Sequence, residues 1–295
     1  MSRLQHILHP VRMTKSVCRR VSRFTYRCLF ERQFRNIRRG QRDRCWCGGE
    51  LLPFKWHRGY GVCAKCGCYV NQYPPVPEEL KKFYSLDSYW GDWMRLKGAP
   101  TIEHRTENDL RDGRLEYWLS LIQRYAPPSG RVIEVGCGHA VLLRELHKKG
   151  YECIGVEISE DVSEWSRRHT GLQIITGAFP QLELPECDMF LAFDVLEHVH
   201  NPAGFLKKTH HLLRPGGIAI FQQPTVRPEQ SYNLDPPLGM DFERMFDDLE
   251  HLWIFTSTSL RMLADLADFH ILDDKSRWRQ CHEIMVLMRK VEDTE

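Results

Sequence analysis

Val132-Ile133-Glu134-Val135-Gly136-Cys137-Gly138-His139-Ala140-Val141-Leu142 is the stretch that decides the fold. Its first half is an apolar, β-branched run of the kind that suits a short buried strand. From Val141 to Lys149 the composition is that of a helix. Gly136 and Gly138 therefore sit on a strand-to-helix turn, where a ligand can approach bare backbone and the helix start offers free N–H groups. A dinucleotide fingerprint requires a third glycine at position 141, which is Val141 here. Glu134, so close to the turn, would also repel a pyrophosphate. The acid favours a ligand with a cationic or amine-bearing part and no phosphate.

In order, Glu134, Gly136, Gly138 and Ala140 match acid-x-Gly-x-Gly-x-Gly/Ala. This resembles the first motif of the class I S-adenosylmethionine-dependent methyltransferases, whose cofactor carries a sulfonium and an α-amino group. Later segments extend the resemblance over residues 131–223. The next strand ends in Glu157, about 20 residues beyond the glycine turn, where an acid can accept hydrogen bonds from both ribose hydroxyls. Asp194-Val195-Leu196-Glu197-His198 is similar to the family's segment after the fourth strand, and Leu213-Arg214-Pro215-Gly216-Gly217 to the turn before the fifth. The resemblance implies that Glu134, Gly136, Cys137, Gly138, Glu157, Ile158, Phe179, Asp194 and Leu196 hold the cofactor, with Asp194 and Leu196 beside its methionine part. One departure falls after the third strand. The family often has Gly-Asp there, and this chain has Gly177-Ala178-Phe179, which moves the adenine contact to backbone and Phe179.

From residue 131 onward, strands and helices alternate at close spacing. Strands are expected at 131–135, 152–157, 172–175, 188–193, 217–223, 270–275 and 282–289, with helices at 140–149, 160–169, 202–213 and 257–267. The alternation predicts an α/β, Rossmann-like doubly wound sheet, and the resemblance implies the seven-stranded class I methyltransferase type. Upstream, 107–126 reads as one helix, and the aromatic run Phe83 to Trp93 suits a core or a lid over a ligand. Four parts result: a basic segment 1–44, a cysteine module 45–72, an aromatic helical linker 73–126, and the catalytic domain 127–295.

Five of the 11 cysteines crowd into 45–68, which suits a metal site in a reducing compartment rather than a disulfide framework. Cys45, Cys47, Cys63 and Cys66 are the expected ligands of a structural zinc ribbon, with Cys68 a spare. The net charge of +2 hides an asymmetry: 13 Lys and Arg in 1–44 face only Glu31 and Asp43, so that segment is +11 and the rest −9. Apolar residues recur there at helical spacing, from Leu4 and Ile7 through Phe24 to Phe34 and Ile37. Two readings stand: a peripheral amphipathic helix on anionic lipid, or a helix packed on its own domain. No run approaches the ~18 apolar residues of a membrane span, and no secretory pattern is expected. The expected location is cytoplasmic, with peripheral attachment at the inner face of a membrane as an extension.

The chemistry needs a base for a hydroxyl or carbon acid, and histidine suits near-neutral pH. His198 follows the strand-four motif. His251, in Glu250-His251-Leu252, lies where substrate loops sit. That triplet resembles the catalytic segment of the deoxysugar C-methyltransferases, which also carry a cysteine-rich zinc module and an aromatic stretch ahead of the cofactor domain. It implies His251 as base with Glu250 as helper, and a sugar, sugar nucleotide or lipid-linked glycan intermediate as the small-molecule acceptor. Two rivals remain: an RNA methyltransferase gripping phosphates with ribbon and basic arm, and a non-catalytic cofactor-binding scaffold. The net-acidic body and the absence of an amino-methyltransferase motif after strand four weigh against nucleic acid.

Overall fold

The computed structural model describes residues 34, 36–96, 98–226, 245–278 and 282–289. The basic stripe therefore lies outside the described residues, apart from its end. Phe34 and Ile37 pack, half-buried, on a cluster of Phe83 and Leu249. Residues 38–44 run alongside 72–76, through Gly40 N–H to Pro74 O and Arg42 N–H to Gln72 O.

The cysteine module is a three-stranded antiparallel unit of β1 (Leu51–Pro53), β2 (Tyr60–Cys63) and β3 (Tyr69–Asn71). Then come α1 (Pro77–Phe83), a π-helical turn (Leu86–Trp93), α2 (Ile102–Arg111) and α3 (Arg114–Tyr125). The single helix expected over 107–126 is in fact two. Gly113 adopts φ +82°, a left-handed conformation that an α-helix cannot contain, and Leu110 is left exposed.

The half from residue 131 onward alternates as its sequence pattern requires: β4 (Arg131–Val135), α4 (Val141–Lys148), β5 (Glu152–Glu157), α5 (Glu160–Thr170), β6 (Gln173–Thr176), β7 (Cys187–Phe193), α6 (Pro202–Leu212) and β8 (Leu213–Val226). These are followed by β9 (Trp253–Thr256), α7 (Ser257–Leu266), β10 (Phe269–Asp273), β11 (Arg277–Trp278) and β12 (His282–Arg289). The main sheet runs β6-β5-β4-β7-β8-β12-β10. Neighbours from β6 to β8 are parallel, and β12 is antiparallel to both β8 and β10. Strand order reverses at β4, and the C-terminal ends of β4, β5 and β7 open onto one crevice, where such sheets bind ligands. The parallel strands are buried on both faces: Val132, Ile133, Phe190, Leu191 and Ala192 have no exposed surface.

Two strands of this half were not foreseen, the two-residue β11, which pairs with β12, and β9. β9 pairs parallel with the far end of β8 (Thr225↔Phe255) and antiparallel with β3 (Tyr69↔Ile254). The cysteine module is thereby hydrogen-bonded into the same sheet system as the half from residue 131 onward.

Candidate functional site

A cavity of about 510 Å³ lies at the strand ends. Of the expected cofactor residues, Glu134, Gly136, Cys137, Gly138, Glu157, Ile158, Phe179 and Asp194 line it. Leu196 does not. It is fully buried in the core, and Val195 stands on the wall, just after Asp194, which adopts φ +55°.

Each strand end delivers one carboxylate. Glu134 is buried, and its Oε2 has no hydrogen-bond partner among the described residues. Burial pushes this carboxyl up to about 8. Glu157 accepts the Gly138 N–H (3.2 Å) and the Ser159 N–H (3.1 Å). Burial raises it to about 7 against the pull of those donors. Asp194 accepts from Gln222 Nε2 at 3.0 Å and lies 3.7 Å from Arg114 Nη1. Gly138 lies at φ +49°, and an added Cβ would meet the Trp90 ring at 2.7 Å, so the indole of the π-helical turn rests directly on the glycine loop.

Beside the carboxylates sits a charged group that the sequence does not announce. Asp109 of α2 is bound by Arg105 Nε at 2.9 Å and faces His139 Nε2 at 2.9 Å. Val141 N–H donates to His139 Nδ1, so the proton of that ring is on Nε2. Burial would raise Asp109, but the His139 bond and the Arg105 charge outweigh it and hold the group at about 2. Arg105 and Arg114 both line the cavity. The i,i+4 spacing of Arg105 and Asp109 was visible, yet it looks like any solvated helix pair. Only the tertiary partner His139, thirty residues on, marks it as buried.

A second cluster closes the far side. Among the three expected catalytic residues, only His198 reaches the cavity wall. His251 lies behind it, ring centroids 5.1 Å apart. Both imidazoles give their Nδ1 protons to backbone carbonyls, His198 to Glu250 O and His251 to Met245 O, each at 2.6 Å. Burial, then the neighbouring His251, depress His198 to about 4. The His251 Nδ1 proton goes to the Met245 carbonyl, and Glu250 Oε1 accepts Trp93 Nε1 at 3.2 Å. Tyr84 also lines the cavity with a buried hydroxyl that has no hydrogen-bond partner among the described residues. Nothing in its sequence context separates it from the other aromatics of 83–93.

The cysteines converge as expected. The Sγ atoms of Cys45, Cys47, Cys63 and Cys66 all lie within 4.8 Å of one another, with Cys45–Cys66 at 3.6 Å and Cys47–Cys63 at 3.5 Å. A tetrahedral thiolate site with metal–sulfur bonds of about 2.3 Å has edges of roughly 3.8 Å, so this donor set fits a soft divalent cation. Cys68 is outside the group. Its thiol donates to the Ile254 carbonyl at 3.4 Å.

A model of the methyltransferase domain family matches residues 104–273. The ubiquinone biosynthesis O-methyltransferases of Methylococcus capsulatus and Nitrosococcus oceani are 28% and 30% identical over 152 and 154 residues, 48% and 49% of this chain. The matched part is 60% and 61% of those relatives' own length. Among solved structures, a candidate O-methyltransferase from Nostoc punctiforme superposes with a TM-score of 0.53 at 14% identity, covering 63% of this chain and 58% of its own. At that identity the likeness is one of fold.

Proposed function

The chain belongs to the methyltransferase domain family, and on that premise we propose that it transfers a methyl group from S-adenosylmethionine to a small-molecule acceptor. The observation that carries this reading is the buried Glu134, whose Oε2 has no partner among the described residues, in a cavity with three further carboxylates, Asp109, Glu157 and Asp194, and two arginines. Such a site suits a cationic zwitterion that bears a diol. Glu134 would take the ammonium, Glu157 the ribose hydroxyls, and Arg105 with Arg114 the carboxylate end. Phe179, packed among Phe190 and Phe205, would face the adenine. The bound cofactor supplies a methyl on a sulfonium, already a good leaving group. The remaining work belongs to the chain. Trp90 and Tyr89 cover the site and exclude water, and the His198–His251 pair receives the acceptor's proton while Tyr84 OH steadies an acceptor oxygen.

The acceptor we favour is a sugar, sugar nucleotide or lipid-linked glycan intermediate, on the strength of the Glu250-His251-Leu252 segment and the cysteine module ahead of the domain. The names of the relatives support a second reading, a phenolic hydroxyl. We assign Cys45, Cys47, Cys63 and Cys66 to a structural zinc ion, because four thiolates complete a tetrahedron and leave no open position. The Arg-rich segment 1–44 would attach the protein peripherally to anionic lipid. No helix among the described residues is long and apolar enough to cross a membrane.

The test is calorimetric titration of S-adenosylhomocysteine into wild type and Glu157→Ala. The expected result is micromolar binding, on the order of −8 kcal/mol, weakened tenfold or more by the substitution. Absence of binding at millimolar ligand would sink the reading. Sugar nucleotides, polyprenyl phenols and RNA then compete in one turnover screen, with His198→Asn and His251→Gln as controls expected to lose transfer but keep cofactor.

A further inference from the structure

Besides the β3–β9 pairing, the cysteine module meets the catalytic half along the backbone of residues 245–252. Tyr60, at the start of β2, is almost completely buried, and its hydroxyl lies 2.6 Å from His251 O and 3.0 Å from Asp247 O. Asn71, at the end of β3, is 1% exposed. Its Nδ2 reaches His251 O at 3.3 Å and Asp248 O at 3.2 Å, and its backbone N–H donates to Leu252 O at 3.0 Å. Arg39 Nη1 adds a bond to Asp248 O at 2.9 Å. Phe246 is enclosed by Phe54, Tyr60 and Tyr69, all from the module.

From the other side, the same segment meets the cavity wall. The Glu250 carbonyl accepts the Nδ1 proton of His198, and Leu252 N–H donates to Glu197 O. Between two donors on one side and an imidazole on the other, residues 247–252 form a bridge one strand wide.

We propose that the cysteine module is a positioning arm for the two imidazoles: Tyr60 and Asn71, through the His251 carbonyl, fix where the His251 ring stands and, through Glu250 O, which nitrogen of His198 carries its proton. Tyr60 and Asn71 are positioning residues and touch no reacting atom. A small zinc-bearing unit that merely folded beside the domain would have no need to spend two buried side-chain donors on one carbonyl. Two donors arriving from different strands fix the carbonyl in two directions, so the loss of either leaves it less precisely placed, which is the arrangement expected where geometry rather than stability is being held.

The inference rests on the proposal that the histidine pair serves transfer, and the experiment separates the two. Full-length protein with ¹⁵N-labelled histidine, saturated with S-adenosylhomocysteine, is followed by ring-nitrogen correlation spectra, the two signals being assigned by His198→Asn and His251→Gln. Wild type should show both rings locked as Nδ1–H tautomers. Tyr60→Phe keeps the buried ring and removes one donor, Asn71→Ala removes the other, and the double variant removes both. Each lost hydrogen bond of ordinary worth releases about two- to tenfold in the equilibrium that holds the segment. The single variants should therefore show a second tautomer or a broadened signal for both rings, and the double variant a larger one, at unchanged cofactor affinity. Spectra identical to wild type in Tyr60→Phe and in Asn71→Ala, whatever their melting temperatures, would overturn the proposal. If the rings respond but His251→Gln and His198→Asn still transfer methyl, the positioning stands and the base assignment falls.

Discussion

Glu134→Gln in the ligand-free protein is expected to stabilise the fold and to cripple the site at once. Burial alone raises the folded-state value of this carboxyl from 4.5 to about 8. A carboxyl raised in the folded state contributes stability that is fully present below its unfolded value and lost as pH climbs to the folded one. The shift of about 3.5 units, at 1.36 kcal/mol each, sets an upper bound of about 5 kcal/mol lost between pH 4.5 and pH 8, and about 3 kcal/mol by pH 7. Water in the cavity reduces both figures. Glutamine has nearly the same shape and no charge, so it carries none of this pH dependence. Urea unfolding of both proteins from pH 4.5 to pH 8.5 should give curves that coincide at the acid end. With rising pH the variant should become progressively the more stable of the two. Binding should move the other way. The neutral amide cannot pair with an ammonium, so S-adenosylhomocysteine should bind at least tenfold more weakly to the variant. In wild type at pH 7, pairing with the ligand would strip the carboxyl of its proton. Titrations in buffers of different ionisation enthalpy should then report release of about one proton per ligand. Parallel stability curves, or a binding enthalpy independent of buffer, would refute the assignment of Glu134 as a buried acid waiting for a cation.

Two further outcomes follow from the geometry. Cys45→Ser or Cys63→Ser should lose bound zinc and melt at lower temperature, whereas Cys68→Ser should retain about one zinc per chain by atomic emission. Loss of zinc in Cys68→Ser would move the fourth ligand. Gly138→Ala should cost about 1–2 kcal/mol for a left-handed non-glycine residue. It should also push Trp90 off the loop, read as a red-shifted tryptophan emission together with weakened binding. Unchanged emission would place the indole elsewhere.

The parallel strands could be read directly because they are buried on both faces. Residues such as Val132-Ile133 and Phe190-Leu191-Ala192 have no solvent side, so they form continuous apolar runs. The three carboxylates were legible for the opposite reason: an acid closing an apolar run at a strand end stands out against it. What failed was local geometry with no compositional signature. Helix 107–126 kept its apolar period across Asp112-Gly113, and only the glycine hinted at the break. Leu196 and Val195 are both apolar, and nothing in their composition says that Val195 lines the cavity while Leu196 lies in the core. The Arg105–Asp109–His139 group is distributed over two elements whose proximity is a product of the fold. Trp253-Ile254-Phe255-Thr256 has strand composition, but four residues beside a histidine motif read equally well as a loop.

That missed strand explains how the two halves come to share a site. β8 is 14 residues long, and its parallel partner β7 stops at Phe193, opposite Gln222. On that side Gln223 to Val226 extend past the end of β7, at the end of the sheet where ligands bind. An exposed edge of this kind must be covered or paired. β9 pairs with it at Thr225 and Val226, and β3 of the cysteine module pairs with β9 in turn. The overhang therefore carries the module to the ligand-binding end rather than to the opposite face, and it places Asn71 within reach of the chain just before β9. A module attached by a flexible tether could have the same fold and the same metal, yet it could not hold the His251 carbonyl. The registration of β8, β9 and β3 is thus the physical link between four cysteines far upstream and two imidazoles at the cavity wall.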